Sequence, residues 1–549
     1  MKKTFLASLA LLLGWGGTAF AQTEVDALRY SQLGVAGTAR IQGIGGAQTA
    51  LGADISNIAG NPAGLGMFRR SEFTITPGVQ SFKNSASLRQ GGLNNSVVSS
   101  NSKFNIPQLG VVISSRKGDN EESDWRGVNF GIGVTRLNNF NERYTSYRTT
   151  NSIDRDAYEA SYNQYLADMA NWEDNDFQGR MPLFSDFDPT IVGYFADLAE
   201  TNARTMASLD EEYNDGITTL EGLAYGGYLF NYNSGGYILP TYRNGLISQR
   251  EEILRTGAQN QIDIGVGTSY KDKLYIGASL GIVTVDFTQK SIYTEAEADP
   301  GTAFTSLEFR DEFSTNGAGV NLKVGLIARP IDALRFGLSI QTPTAYTFDD
   351  EYQRSITTTF DDGVESAEEV PGQFTYRLAT PFRATGGVAF FAGKYGFITG
   401  DVEYVNYGQA KFREDDEFSS GGFFDDVNND IERNNESAVN YKIGAEGRYE
   451  VFRLRAGYAY NAAPDNGSSY NSGLINYKYG PTKSYTFGAG VRLQNLFVDA
   501  AYVHSQRDVT YAPFVAGTNY TPFVNQAQEP AVNIDKKLSS VLVTVGYNF

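Results

Sequence analysis

One histidine and no cysteine in 549 residues set a tight limit on the chemistry this chain can do. Zinc centres and acid–base catalysis lean on those side chains, so neither a conventional zinc site nor a Ser/His/Asp triad is expected. The single histidine, His504, falls in a stretch that alternates like a strand, near its outer end. Gly-x-Gly runs begin at Gly131, Gly265, Gly317 and Gly488. None opens a helix after a parallel strand, so none reads as a dinucleotide site. Asp426, Asn428 and Asp430 have the spacing of a calcium loop but lack the glycine at its sixth position and the glutamate at its twelfth. A solvated acidic loop is the simpler reading. Acidic pairs abound, and none has a spacing that marks a catalytic dyad. We expect no catalytic residue, no metal and no cofactor, hence no enzyme.

The residues are instead arranged to build strands. At the carboxyl end, Val541, Val543, Val545, Tyr547 and Phe549 alternate with Leu542, Thr544, Gly546 and Asn548. Period 2 with one apolar face predicts a strand with one greasy side. A chain stopping on such a strand with a terminal aromatic resembles the carboxyl-terminal signature of bacterial outer-membrane β-barrels. That resemblance implies that Tyr547 and Phe549 are read by the barrel assembly machinery and that the strand closes the barrel.

The amino end agrees. Lys2 and Lys3 precede an apolar run, Phe5 to Leu13, and small residues follow around Ala19, Phe20 and Ala21. This predicts a signal peptide over 1–21, cleaved before Gln22, with a run too short to span a bilayer. No later stretch approaches the roughly 20 apolar residues of a spanning helix. An exported chain that enters a membrane without such helices must do so as a closed barrel. The many aromatics, 34 Tyr and 35 Phe, and the 59 Gly fit that reading. So does the slightly negative mean hydropathy, because every second strand residue of a barrel faces a polar interior. Removing the two signal lysines takes the net charge from −18 to −20, which argues against nucleic acid as a partner.

Connections sort into two kinds. Tight reversals are predicted at Lys271-Asp272-Lys273, at Pro330-Ile331-Asp332, and near Gly393-Lys394, Glu450-Val451 and Gln494-Asn495, with a longer one over Lys117 to Asp124. Long polar, acidic loops are predicted over 84–102, 141–255, 290–312, 347–373, 413–438, 463–482 and 512–535. Short turns at one end and long loops at the other are the asymmetry of outer-membrane barrels. The expectation is an all-β, antiparallel transmembrane barrel of about 14 strands over 71–549, in contact with outer-membrane lipid. A glycine- and alanine-rich segment over 22–70 precedes it, and the long extracellular loop 141–255 is partly helical. Within that loop Tyr158, Tyr162, Tyr165 and Met169, and then Ile191, Tyr194, Phe195 and Leu198, fall at helical spacing. Their apolar faces are expected to pack on each other or on the barrel rim rather than to form a ligand groove.

Val128, Phe130, Ile132 and Val134 are expected to face lipid, with Asn129, Gly131, Gly133 and Thr135 facing inward. Gly127, Gly131 and Gly133 leave two readings open: a local break in the barrel wall, or relief of crowding beside something held in the lumen.

The run ALGADISNIAGNPAGL, Ala50 to Leu65, is the most specific motif. Asn61-Pro62-Ala63 after an Asp- and Asn-bearing run, soon after a signal peptide, resembles the FadL-type outer-membrane transporters of long-chain fatty acids and other hydrophobic compounds. Thr380-Pro381-Phe382, the run Asp401 to Tyr407, Gly444-Ala445-Glu446 with Arg455 to Tyr458 and Pro464, and Gly488-Ala489-Gly490 with Asp499 to Tyr502 fit the same family. The resemblance covers nearly the whole mature chain and is weak in loop 141–255. It implies that 22–70 is a hatch inside the lumen carrying Asn61, Pro62 and Ala63, that the ligand is a hydrophobic small molecule such as a long-chain fatty acid, and that release is sideways into the membrane. Without that resemblance the segment, with Pro62's fixed φ and missing N–H, reads rather as a simple turn before the first strand. Aromatic hydrocarbons or haem remain alternative ligands, haem with His504 or a tyrosine as axial group. A structural or adhesive surface barrel is the other alternative.

Overall fold

A computed structural model describes residues 23–549 apart from 90–95, 118–120, 122, most of 152–189, 242, 244, 298–301, 416–421, 466–476 and 512–530. The expected signal peptide and the helical spacing at Tyr158, Tyr162, Tyr165 and Met169 lie outside the described residues.

Among the described residues, fourteen antiparallel strands close into one barrel. In chain order they are β1 (Glu72–Arg89), β2 (Ser96–Arg116), β3 (Trp125–Asn139, continued by Glu142–Asn151), β4 (Leu246–Tyr270), β5 (Leu274–Glu297), β6 (Phe304–Ile331) and β7 (Leu334–Gln341, continued by Ala345–Phe360). Next comes β8, in three pieces, Gly363–Glu368, Gly372–Ala379 and Arg383–Phe391. It is followed by β9 (Gly396–Asn406 and Lys411–Glu414), β10 (Ser437–Tyr449), β11 (Phe452–Asn461), β12 (Tyr477–Tyr479 and Thr482–Arg492), β13 (Leu496–Tyr511) and β14 (Ala531–Asn548). Pieces of one strand share a neighbour: Glu142–Asn151 continues the pairing of Trp125–Asn139 with β4. β14 pairs with β13 on one side and with β1 on the other, from Glu72↔Asn548 to Arg89↔Ala531. Closure leaves no free edge at that seam, which lipid would not tolerate.

The alternation of the last strand decides which side meets lipid. Val541 is 56% exposed and Leu542 0%. On β3 the outward set Val128, Phe130 and Ile132 is exposed, while Asn129 is buried. Aromatics ring the belt at both rims: Tyr395, Tyr449, Phe452, Tyr547 and Phe549 at the short-turn end, Tyr404, Tyr441, Tyr485 and Tyr502 at the other. This is the apolar band and double girdle of an outer-membrane-type barrel, with short turns at its periplasmic end. No described helix is long and apolar enough to cross a membrane. The turn at Lys271-Asp272 has φ 53° at both residues, the left-handed pair that a tight hairpin needs.

The strands run beyond the belt. β6 has 28 residues, about 90 Å of extended chain at roughly 3.3 Å each, against a band about 25 Å tall. The stretches 84–102, 290–312 and 347–373, expected as loops, are therefore largely strand. Above the membrane both faces of a strand meet water or protein, so the apolar alternation that betrays a strand is lost while the backbone ladder continues. The stretch 413–438 contains a helix, Asp425–Asn434. Its Asn428 is bonded to the backbone of Phe412 in both directions, Phe412 N to Oδ1 at 2.8 Å and Nδ2 to Phe412 O at 3.0 Å, so this side chain joins the helix to β9.

Part of the long loop folds into the mouth. The helices Ile191–Thr201, Met206–Asp215 and Leu220–Gly226 share an apolar core with the inner faces of β5 to β8, in which Ile191, Phe195 and Leu223 meet Tyr293, Phe304 and Ile356. Arg243, fully buried, ties this cap to β5 through Glu295 at 2.8 Å and also pairs with Asp188.

Phe549 N donates to Ser71 O at 3.0 Å, the last backbone bond at the seam, and its ring stacks on Tyr547 in the periplasmic girdle. Deleting Phe549 is expected to lower the yield of folded barrel several-fold. Heat-modifiable migration on a gel reads this directly, and an unchanged folded fraction would remove the residue's assembly role.

Candidate functional site

Residues 23–70 form no strand. They make a helix, Glu24–Ser31, a single turn, Ala39–Gln42, and two 3₁₀ stretches, Ile55–Ile58 and Pro62–Met67. This segment lies against the inner faces of strands all around the barrel. Irregular backbone at membrane depth must be satisfied from the wall. Asp401 of β9 accepts from Gln48 N, Thr49 N and Thr49 Oγ1 through one oxygen, at 2.8, 2.9 and 2.8 Å. Asn129 of β3 donates to Leu65 O at 2.6 Å, Ser279 of β5 to Ile58 O and Ser339 of β7 to Gly60 O, both at 2.8 Å. Thr544 of β14 accepts from Ala39 N at 2.7 Å.

Asn61, Pro62 and Ala63 sit together in this interior. Asn61 is fully buried; its Nδ2 donates to Thr49 O at 2.7 Å and to Leu326 O of β6 at 3.2 Å, and its Oδ1 accepts from Ala63 N at 3.2 Å. Two wall glycines make room. A Cβ at Gly325 would lie 1.8 Å from Asn61 Oδ1, and one at Gly277 would lie 2.2 Å from Pro62 O. Neither approach is open to any other residue.

At Gly127, Gly131 and Gly133 the wall does not break. All three pair with β2 and with β4. A Cβ at Gly131 would meet Ile58 and Leu65 at 3.2 and 3.3 Å, so this glycine gives space to the interior segment. The discontinuity lies further along the same two strands. Among the described residues β2 pairs with β3 only over Gln108–Arg116; its upper part, Ser96–Asn105, pairs there with β1 alone. Pro77 of β1 and Pro107 of β2 meet at a register shift at this level. Each lacks the N–H a ladder needs. Above it β3 leans inside the wall: Asn84 of β1 donates to Arg143 O at 3.0 Å, and Tyr144 packs on Ala86, Val532 and Ile534. The slit between β2 and β3 is thus one in the backbone ladder: above this level no described backbone pair joins the two strands, upper β3 lies close behind β1 and β2, and Phe104 and Ile106 are exposed on the outer face beside it.

Behind the slit is a cavity of about 300 Å³. Gln80, Phe82 and Pro107 line it towards the slit, and Leu33 to Val35 of the interior segment form one side. Phe140 and Phe287, in edge contact at 5.4 Å, supply apolar wall. Among the described residues six lining side chains are cationic, Arg29, Arg136, Arg255, Arg507, Lys536 and Lys537, and one is acidic, Glu142. Arg29 pairs with Asp26 and lies over the Phe287 ring, and Lys537 pairs with Asp535. Arg507 and Arg136 have no carboxylate partner among the described residues; Arg507 bonds Gly480 O and Gln32 Oε1, and Arg136 bonds Asn260 Oδ1. The arrangement can hold an amphipathic anion, its head on the cations and its body on the rings.

Sequence reasoning missed this cationic cavity and the prolines at the slit. The inward parity of Arg255, Arg507 and Lys536 on their strands was available from period 2, and proline inside a strand is itself a signal of a bulge. His504 is on the outer face, bonded through its ring nitrogens to Ser539 and Gln506 at 3.0 Å each, and cannot reach a ligand in the lumen.

No family model matches the chain, and no curated protein matches it. Solved structures do. A FadL homologue of Pseudomonas aeruginosa aligns at 10% identity over 94% of this chain and 99% of its own, with a TM-score of 0.49. The toluene transporter TodX of P. putida aligns at 13% identity over the same shares with a TM-score of 0.45, and the toluene transporter TbuX of Ralstonia pickettii at 14% with 0.43, again over 94% and 99%. Over nearly its whole length the chain is thus similar to a FadL homologue and to two toluene transporters.

Proposed function

We propose that this protein is an outer-membrane channel for passive uptake of hydrophobic small molecules with an anionic head, long-chain fatty acids foremost. The supporting observation is the cavity just behind the slit, with six cationic lining residues against one acidic among the described residues. Taking a carboxylate out of water is costly unless charge-assisted hydrogen bonds replace its hydration, and guanidinium and ammonium groups supply these. The apolar body would rest on Phe82, Phe140 and Phe287. Residues 22–70 act as a hatch with Asn61, Pro62 and Ala63 at its wall contact, so nothing passes straight through at rest, and the slit between β2 and β3 offers release into the bilayer. An aromatic hydrocarbon would use the rings and leave the cations idle. Haem is disfavoured by the outward His504. Cells lacking the protein should take up radiolabelled oleate more slowly than cells carrying it, with toluene as the neutral comparison. Equal oleate uptake would remove the fatty-acid reading.

A further inference from the structure

Among the described residues Glu142 is the one acidic residue lining the cavity, and it holds two of the cations. Arg255 Nη1 donates to its Oε1 at 2.5 Å, and Lys536 Nζ lies 3.0 Å from Oε1 and 2.9 Å from Oε2. Both oxygens are therefore capped by cations, as those of a bound carboxylate would be. The cations are also placed independently of Glu142. The Tyr144 ring has the Arg255 guanidinium at 5.7 Å and the Lys536 ammonium at 5.8 Å, and Arg255 Nε donates to Gln289 Oε1 at 2.6 Å. They would stay in position if the Glu142 side chain swung away.

Glu142 opens the upper part of β3, the part that has no partner in β2 and borders the slit. Its pair with Lys536 is an ionic tie between β14 and this stretch, whose backbone ladder runs to β4 on its other side.

We propose that Glu142 is an internal stand-in for the ligand's carboxylate: it fills the anion site at rest, and an incoming head group must displace it from Arg255 and Lys536, which removes the ionic tie of upper β3 to β14 beside the exit slit. This rests on the uptake reading above and adds which anion site the head group takes and what it competes with. The ligand chemistry required is a monoanionic head on an apolar chain. A neutral compound of equal length has no means of displacing Glu142.

The test is calorimetric titration of the full-length protein in amphipol with decanoate and with decanol, for wild type and Glu142→Gln, with empty amphipol as blank. Glutamine keeps the shape and removes the charge. The expected result is at least a tenfold fall in the decanoate Kd and a decanol Kd within twofold of wild type. Both probes binding with the decanoate Kd unchanged by the substitution would overturn the proposal and leave the uptake reading standing. Neither probe binding either protein would overturn both. If Glu142→Gln yields no heat-modifiable barrel, hydrogen exchange on wild type decides. Faster exchange over 140–149 with decanoate and not with decanol supports the displacement; exchange unaffected by decanoate rules it out.

Discussion

Asp401→Ala is expected to convert a closed barrel into a conducting one without unfolding it. One oxygen of Asp401 accepts from Gln48 N, Thr49 N and Thr49 Oγ1, all buried or nearly so against the inside of β9. Removing it leaves two backbone N–H groups and a hydroxyl short of an acceptor, at about 1–3 kcal/mol each. The barrel does not depend on it, since the backbone of Asp401 pairs with Gly387 and Lys442 whatever its side chain. The loss therefore falls on the seating of residues 23–70. Single-channel conductance should rise well above wild type while the protein keeps its heat-modifiable migration. Asn61→Ala should act in the same direction and less strongly, because Asn61 donates to Thr49 O and Leu326 O but the strands still enclose it. Conductance at the wild-type level in both variants would mean that the interior segment is a fixed filling rather than a hatch.

The second large effect is expected from the cations. Arg507→Met together with Lys536→Met removes one guanidinium that has no carboxylate partner among the described residues and one ammonium that shares Glu142. Methionine keeps much of the apolar stem, so packing changes little. A hydrogen bond to a charged group contributes about 1.5–3 kcal/mol. Two of them amount to well over a factor of ten, at about 1.4 kcal/mol per decade. Oleate uptake should fall at least tenfold, while oleyl alcohol uptake, which draws on Phe140 and Phe287 instead, should hold. A parallel fall in both would show that the double variant damaged the cavity rather than its head-group site.

Much of the architecture was legible along the chain because it is local. Val541 to Phe549 alternate, and period 2 alone says which residues meet lipid, since neighbouring side chains of a strand point to opposite faces. The tight turns were readable for the same reason: the reversal at Lys271-Asp272-Lys273 needs only a few residues to specify it. Where strands leave the membrane the signal ends. The stretch 290–312 carries strand on either side of residues 298–301 with no apolar alternation, because nothing above the belt demands a greasy face. Residues in long-range contact were harder still. The three glycines of β3 have the same composition whether they break a wall or make space for Ile58 and Leu65, and only the ladders on both sides decide for space. The slit arises instead where Pro77 and Pro107, 30 positions apart in number, are brought to the same level of β1 and β2. The anion site is the extreme case. Arg255 and Lys536 show inward parity on their own strands, but Glu142 has the parity of the lipid-facing Val128, Phe130 and Ile132; the register shift between Arg136 and Asn138 turns it inward, and the closure of β14 onto β1 with the inward lean of β3 sets Glu142 and Lys536 2.9 Å apart. Between register shifts, periodicity fixes the face a side chain takes; which other faces it meets is settled by closure, and that is a property of the whole barrel.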